Sequence, residues 1–137
     1  MSDPDCLFCK IVAGEIPSTR VDEDERTVAF MDIAPWTRGH ALVIPKAHST
    51  DLGEVDERDL AAVAAMAKRV ALRQKERLGA EGVNLLNAFG AAAWQTVFHF
   101  HLHVIPRYDD DPLRLPWVPG PGDPGEIADA ARKLTGG

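Results

Sequence analysis

The chain predicts an α+β fold built on an antiparallel sheet, and three observations lead there. Short β-branched runs bounded by turn residues lie on both sides of one long stretch with a 3.6-residue apolar period. No strand-helix-strand alternation repeats along the chain, which argues against a doubly wound parallel sheet. At 137 residues, with ordinary apolar and charged fractions, the chain is one domain's worth and long enough to bury a core.

Each element follows in order. In "CLFCKIVAGEIP" the apolar residues Leu7, Phe8, Ile11 and Val12 recur at helical spacing, and Gly14 ends a short helix. "TVAFMDI" and "HALVIP" read as strands, separated by the wide loop "APWTRG" and closed by Pro45, which cannot continue a ladder. From Asp56 to about Leu78, Leu60, Val63, Ala67 and Val70 hold the helical period, and Lys and Arg gather toward the end, where they suit the helix dipole. "EGVNLLNAF" and "TVFHFHLHVIP" read as further strands. Residues 1–110 are therefore expected to form the core, and 111–137 a Pro/Gly-rich tail with a short helix over "EIADAARKL".

Composition narrows the function classes. A net charge of −6 supplies no basic field for a polynucleotide, so a small ligand is the expected partner. The start "MSDPDCLFCK" carries acidic residues where a secretory leader carries basic ones, and no apolar run reaches bilayer-spanning length. The expected location is the cytoplasm, away from membranes.

Two patterns carry chemistry. In "QTVFHFHLHVIPR", three of the chain's five histidines, His99, His101 and His103, occupy alternate positions. Extended backbone puts them on one face, and Phe98, Phe100, Leu102 and Val104 on the other. A row of imidazoles packs no better than valine or threonine and repels itself when protonated, so it points to a metal site or to nucleophilic and acid-base chemistry. The only cysteines, Cys6 and Cys9, stand three apart. In a reducing compartment such a pair is a metal pair or a redox pair rather than a structural disulfide, and the residues alone leave both open. A thioredoxin-like motif follows a strand in a strand-helix-strand unit, which is not predicted here.

These residues also carry a family resemblance. "HFHLHVIP" resembles the signature of the histidine triad family. "FCKIVAGEIP", "DIAPWTRGHALVIPKAH" and "NLLNA" resemble, in the same order, segments of its small nucleotide-binding branch, so the resemblance covers roughly residues 6 to 120. It implies an α+β homodimer with a five-stranded antiparallel sheet, one long helix and one or two short ones. It also implies a hydrolase that releases a nucleoside monophosphate, with AMP or GMP as the purine moiety, from nucleotides substituted on the α-phosphate, phosphoramidates foremost. A dinucleoside polyphosphate hydrolase, or a nucleotide- and zinc-binding regulatory protein with little turnover, are the alternatives. The nucleotidyl-transferase branch has Gln in place of the last histidine, and this chain keeps His103.

Residue by residue, the resemblance makes His101 the nucleophile, flanked by His99 and His103, with His40 as a fourth histidine beside them. Gln95 and Thr96 match polar groups near the phosphate and the leaving group. Asp32 matches a ribose-binding carboxylate; Phe8, Ile16, Phe30 and Ile33 match the walls of the base pocket; Asn87 matches a polar residue near the site. Cys6, Cys9, His48 and His99 match a structural zinc site found in some bacterial relatives, a closed shell of two thiolates and two imidazoles. The chain departs from the family at Trp94, where glycine commonly precedes the Gln, and this bears on the leaving-group side.

Overall fold

The computed structural model describes residues 2–136, so Met1 and Gly137, the outer ends of the two expected segments, lie outside the described residues. The elements are α1 (Leu7–Val12), β1 (Arg20–Glu23), β2 (Thr27–Met31), β3 (Ala41–Pro45), α2 (Glu57–Leu78), β4 (Gly82–Leu86), a 3₁₀ turn (Ala91–Ala93), β5 (Leu102–Arg107) and α3 (Pro124–Leu134). All strand pairs are antiparallel, in the order β1-β2-β3-β5-β4. The α+β architecture, the long helix and two short helices are as the sequence predicts.

α1 and α2 cover opposite faces of the sheet, and period-2 alternation decides which side chain meets which of them. Ala29, Ala41, Val43 and Val104 pack beneath α2 against Val63, Met66, Ala67 and Val70. Val28, Phe30, Leu42 and Ile44 face the other way, onto Phe8 and Ile11 of α1. Local signals bound α2: the Asp56 side chain accepts the Arg58 N–H, and Gly79 closes the helix in the left-handed region at φ 72°.

Two features differ from what the residue pattern predicts. β1 is the edge strand that completes the five-stranded sheet the resemblance implies, though the residue pattern does not mark it: its "RVDE" offers a single apolar residue, and distant charges brace it, through Arg73 to Asp22 and Lys46 to Glu23 at 2.8 Å each. β5 begins at Leu102 rather than near Thr96, because its ladder with β3 ends at the Val43–Leu102 pair. Beyond that pair the Pro45 carbonyl accepts the His99 side chain at 2.8 Å, and the Phe100 N–H goes to the Ser49 carbonyl. Side-chain alternation nevertheless holds from His99 onward: Phe100 lies in the α2 core, while His99 and His101 meet Phe8 of α1. Phe98 is the exception, half exposed rather than packed.

Candidate active site and metal centre

The histidine row divides into a buried cluster and a cleft. His99 has no solvent exposure. Its Nε2–H donates to the Pro45 carbonyl, which leaves Nδ1 unprotonated and turned to Cys6 Sγ at 3.4 Å and Cys9 Sγ at 3.5 Å. His48 Nδ1 lies 3.4 Å from Cys9 Sγ, and the four donor atoms all fall within 4.8 Å of one another. The CxxC spacing achieves this because Cys6 is the N-cap of α1 and Cys9 ends its first turn. A tetrahedral ion with Zn–S near 2.3 Å and Zn–N near 2.0 Å separates its ligand atoms by roughly 3.5 Å, so donor set and spacing both fit such an ion. The Pro45 carbonyl acts as the outer hydrogen-bond partner that metal-bound imidazoles use. Burial pushes the Cys6 thiol above its ordinary pKa, the reverse of an activated redox thiol.

His101 has the opposite tautomer. Its Nδ1–H donates to the His99 carbonyl at 2.7 Å, so Nε2 carries the lone pair. Burial lowers its pKa, against the His99 bond and the Asp32 charge, which raise it. The ring is thus neutral near pH 7. Asn87 Nδ2–H donates to the His101 carbonyl at 2.9 Å and fixes the main chain beneath the ring.

A relay sets His103. The Trp36 main-chain N–H donates to His40 Nδ1 at 3.1 Å, so His40 keeps its proton on Nε2, and this N–H donates to His103 Nδ1 at 2.9 Å. His103 then bears its own proton on Nε2. Asp32 Oδ2 stands 3.6 Å from His40 Nε2, and Asp32, His40 and His103 form a second cluster of metal-ligand types. It does not suit a metal, because the Trp36 N–H requires the His40 proton to sit on the nitrogen that would have to ligate. Burial pushes His103 down to about 4, and His40 is also lowered, chiefly by burial. The turn into β3 that aims His40 comes from Gly39, at φ 89°, where a Cβ would collide with Leu78.

His101 and His103 line a cleft of about 470 Å³. Phe8, Ile16, Phe30, Asp32, Ile33 and Thr96 line the same cleft. Asp32 Oδ1 also accepts the Ala34 N–H at 2.8 Å, so a turn-capping role and a place in the cleft coexist. Gln95 is drawn inward: its amide donates to the carbonyls of Thr50 and Val97 and accepts the Gly90 N–H. His40 and Asn87 stand behind the cleft, bonded to its histidines. Trp36 had no motif to mark it: its main-chain N–H sets the relay, and its ring stacks on His103 at 5.0 Å and 19°.

Comparison with known proteins agrees with this geometry: the profile described as the HIT domain matches residues 13–110. The chain belongs to the HIT domain family. Among solved structures, SMU.412c from Streptococcus mutans superposes with a TM-score of 0.92 at 40% identity, covering 98% of this chain and 85% of that one. A Zn-bound histidine triad family protein from Mycobacterium smegmatis gives 0.78 at 42% identity, covering 96% and 95%. The adenosine 5'-monophosphoramidase hnt1 of Schizosaccharomyces pombe is 39% identical over 131 residues, 95% of this chain and 96% of that protein. In this HIT chain, as in the sequence reading, all three triad histidines are present, and the two cysteines converge on the first of them.

Proposed function

We propose that this HIT protein is a nucleotide-binding hydrolase that releases a nucleoside monophosphate from phosphoramidates and related α-phosphate-substituted nucleotides. The observation that carries the reading is the His101 tautomer: a neutral imidazole with its Nε2 lone pair beside an open cleft. His101 Nε2 attacks the α-phosphorus and forms an N–P bond as the bond to the leaving amine breaks, the amine taking up one proton. Water then attacks the phosphorus, the Nε2–P bond breaks, and the water releases one proton. One water is consumed overall. The His103 Nε2–H donates to the non-bridging oxygens, where charge accumulates, and Thr96 lies near the leaving group. Asp32 accepts from the ribose, and Phe8, Ile16, Phe30 and Ile33 enclose a purine base. Gln95 supports the phosphate side through the loop it fastens, and Asn87 and His40 position His101 and His103. The monophosphoramidase name of the S. pombe relative supports the same substrate class.

A phosphoramidate is favoured over a dinucleoside polyphosphate because no Lys or Arg is among the described residues lining the cleft, and a polyphosphate chain needs cationic partners. Cys6, Cys9, His48 and His99 hold a structural zinc, a reading supported by the donor set and by the Zn-bound M. smegmatis relative. When bound, the ion supplies fixed geometry to the loop that carries the triad. The protein works as a homodimer: β4 is an edge strand that exposes Leu85, with Phe89 exposed just beyond it, and such an edge is a template for pairing with a second copy. No described helix is long and apolar enough to cross a membrane. The free thiols of Cys6 and Cys9 suit a cytoplasmic location. Residues 1–110 form the catalytic core and 111–137 a Pro/Gly-rich tail that carries a short helix. The net charge of −6 disfavours a polynucleotide partner.

The test is AMP release from adenosine 5'-phosphoramidate by the protein and by its His101→Asn variant, with the zinc content of both measured. Turnover by the first and none by the second is expected. No turnover by either, with tight AMP binding retained, would leave a binding protein instead.

A further inference from the structure

We propose that Trp94 is a specificity-determining residue, selecting substrates whose leaving group ends in a flat aromatic ring; the inference rests on the hydrolase reading above. Trp94 is the only described non-glycine residue with positive φ, at 78°. It occupies the left-handed position that closes the 3₁₀ turn: its N–H donates to the Ala91 carbonyl at 3.0 Å, and the next N–H, from Gln95, reaches back to Gly90 at 3.1 Å. Glycine takes this position without strain, whereas a bulky side chain does not. Burial in the core does not offset the strain, because the indole is 59% exposed.

What the indole does instead is line the cleft that holds His101 and His103. Its ring is offset-stacked with Trp117 of the tail, centroids 6.1 Å apart and planes 21° from parallel, and Trp117 is itself 54% exposed. The nucleoside is assigned to residues of α1, β2 and the Asp32 turn. The segment carrying Trp94 and Thr96 is thereby left for the group on the other side of the α-phosphate. No lysine or arginine lines the cleft among the described residues, so the cleft offers no such cation to pair with an anionic group there. A broad exposed indole face, stacked on a second indole, suits a planar ring.

The test uses the adenosine 5'-phosphoramidates of 2-phenylethylamine and 2-cyclohexylethylamine, which match in length and apolar character and differ in planarity. The unmodified protein should favour the phenyl compound by about fivefold in kcat/KM, expressed mainly in KM. Trp94→Gly and Trp94→Asn, both suited to a left-handed position, should bring the ratio near one, and Trp94→Phe should retain most of it. Trp94→Gly should melt at or above the temperature of the unmodified protein. A lower melting temperature with an unchanged ratio would show that Trp94 merely anchors the tail, and would overturn the assignment. Binding of both compounds to the His101→Asn protein separates this inference from the hydrolase reading. A fivefold preference in Kd without hydrolysis by the unmodified protein keeps Trp94 and removes the hydrolase. Equal hydrolysis of both compounds keeps the hydrolase and removes Trp94's role, and failure to bind either compound overturns both.

Discussion

The carbonyl oxygen of His99 lies 2.7 Å from His101 Nδ1, while the imidazole of His99 belongs to the Cys6–Cys9–His48 cluster. One residue thus joins the two sites, by its main chain on one side and its ring on the other. The tautomer of the proposed nucleophile depends on a carbonyl whose place is set by the metal-type donors. Stripping the metal, or Cys9→Ser, should therefore affect both stability and turnover. A tightly held ion stabilises by roughly 4 kcal/mol when present well above its Kd, so a loss of about 10 °C in melting temperature is expected. Thermal melts with and without chelator, beside metal analysis, check this. Identical melts of loaded and stripped protein would remove the structural role.

His40 offers a second test because it never needs to touch the substrate. Its Nε2–H holds His103 Nδ1, and without it His103 is free to move its proton to Nδ1 and present a lone pair to the phosphate. His40→Phe should lower kcat about 100-fold, the loss typical of one misplaced oxyanion donor, with a smaller change in KM. Asp32→Asn should show the reverse balance, raising KM more than it lowers kcat. Steady-state kinetics of the two variants separate the roles.

Much of this fold is legible in the sequence because its signals are local. The long helix declares itself through Asp56, Gly79 and the Val63–Ala67–Val70 stripe, and β2 and β3 through β-branched runs between turn residues. β1 is not legible, since Val21 is its only apolar residue and its support comes from Lys46 and Arg73, far along the chain. The start of β5 was obscured because alternation of side chains outlasts the ladder, which ends where the Pro45 carbonyl turns to an imidazole. At the site, residue types were readable and tautomers were not. The Trp36 N–H and the His99 carbonyl are main-chain groups that no motif encodes. Gln95 has the right type to touch a phosphate, yet its amide is already engaged three times by the loop backbone. Phe8 and Phe30 could equally have been core, and they are both core and cleft wall.

Burial also gives the protein an acid limit. His103 falls from an ordinary 6.5 to about 4 in the folded chain, and His40 and His101 shift the same way. Between pH 6.5 and about 4 the unfolded chain takes up a proton that the His103 ring refuses, so the stability this ring contributes is complete above 6.5 and is lost as pH falls through about 4; His40 and His101 act in the same direction. Urea midpoints should be flat from pH 7 to 8 and decline below 6.5. His103→Phe should flatten that decline by about one proton. An unchanged slope in the variant would place the acid sensitivity elsewhere. The acid limb of kcat/KM should likewise lie below pH 6.5, because His101 is neutral above it.

Phe100 ties the stability of the sheet to the aim of the triad. Its ring, 1% exposed, is buried in the α2 core between two residues whose side chains go the other way. Extended backbone makes those two facts one: with Phe100 seated under α2, His99 and His101 must face α1 and the cleft. Phe100→Ala should cost about 3–5 kcal/mol and lower turnover beyond the loss of folded protein, because the anchor that fixes the alternation is gone. Phe100→Leu keeps an apolar anchor and should cost less while preserving most activity. Phe98→Ala, at a half-exposed position next to the same histidine, should change stability by no more than about 0.5 kcal/mol. Urea denaturation of the three variants, with activity expressed per folded protein, measures both effects. Equal losses from the Phe98 and Phe100 truncations would mean that the strand, and not the seated ring, sets the direction of the histidines.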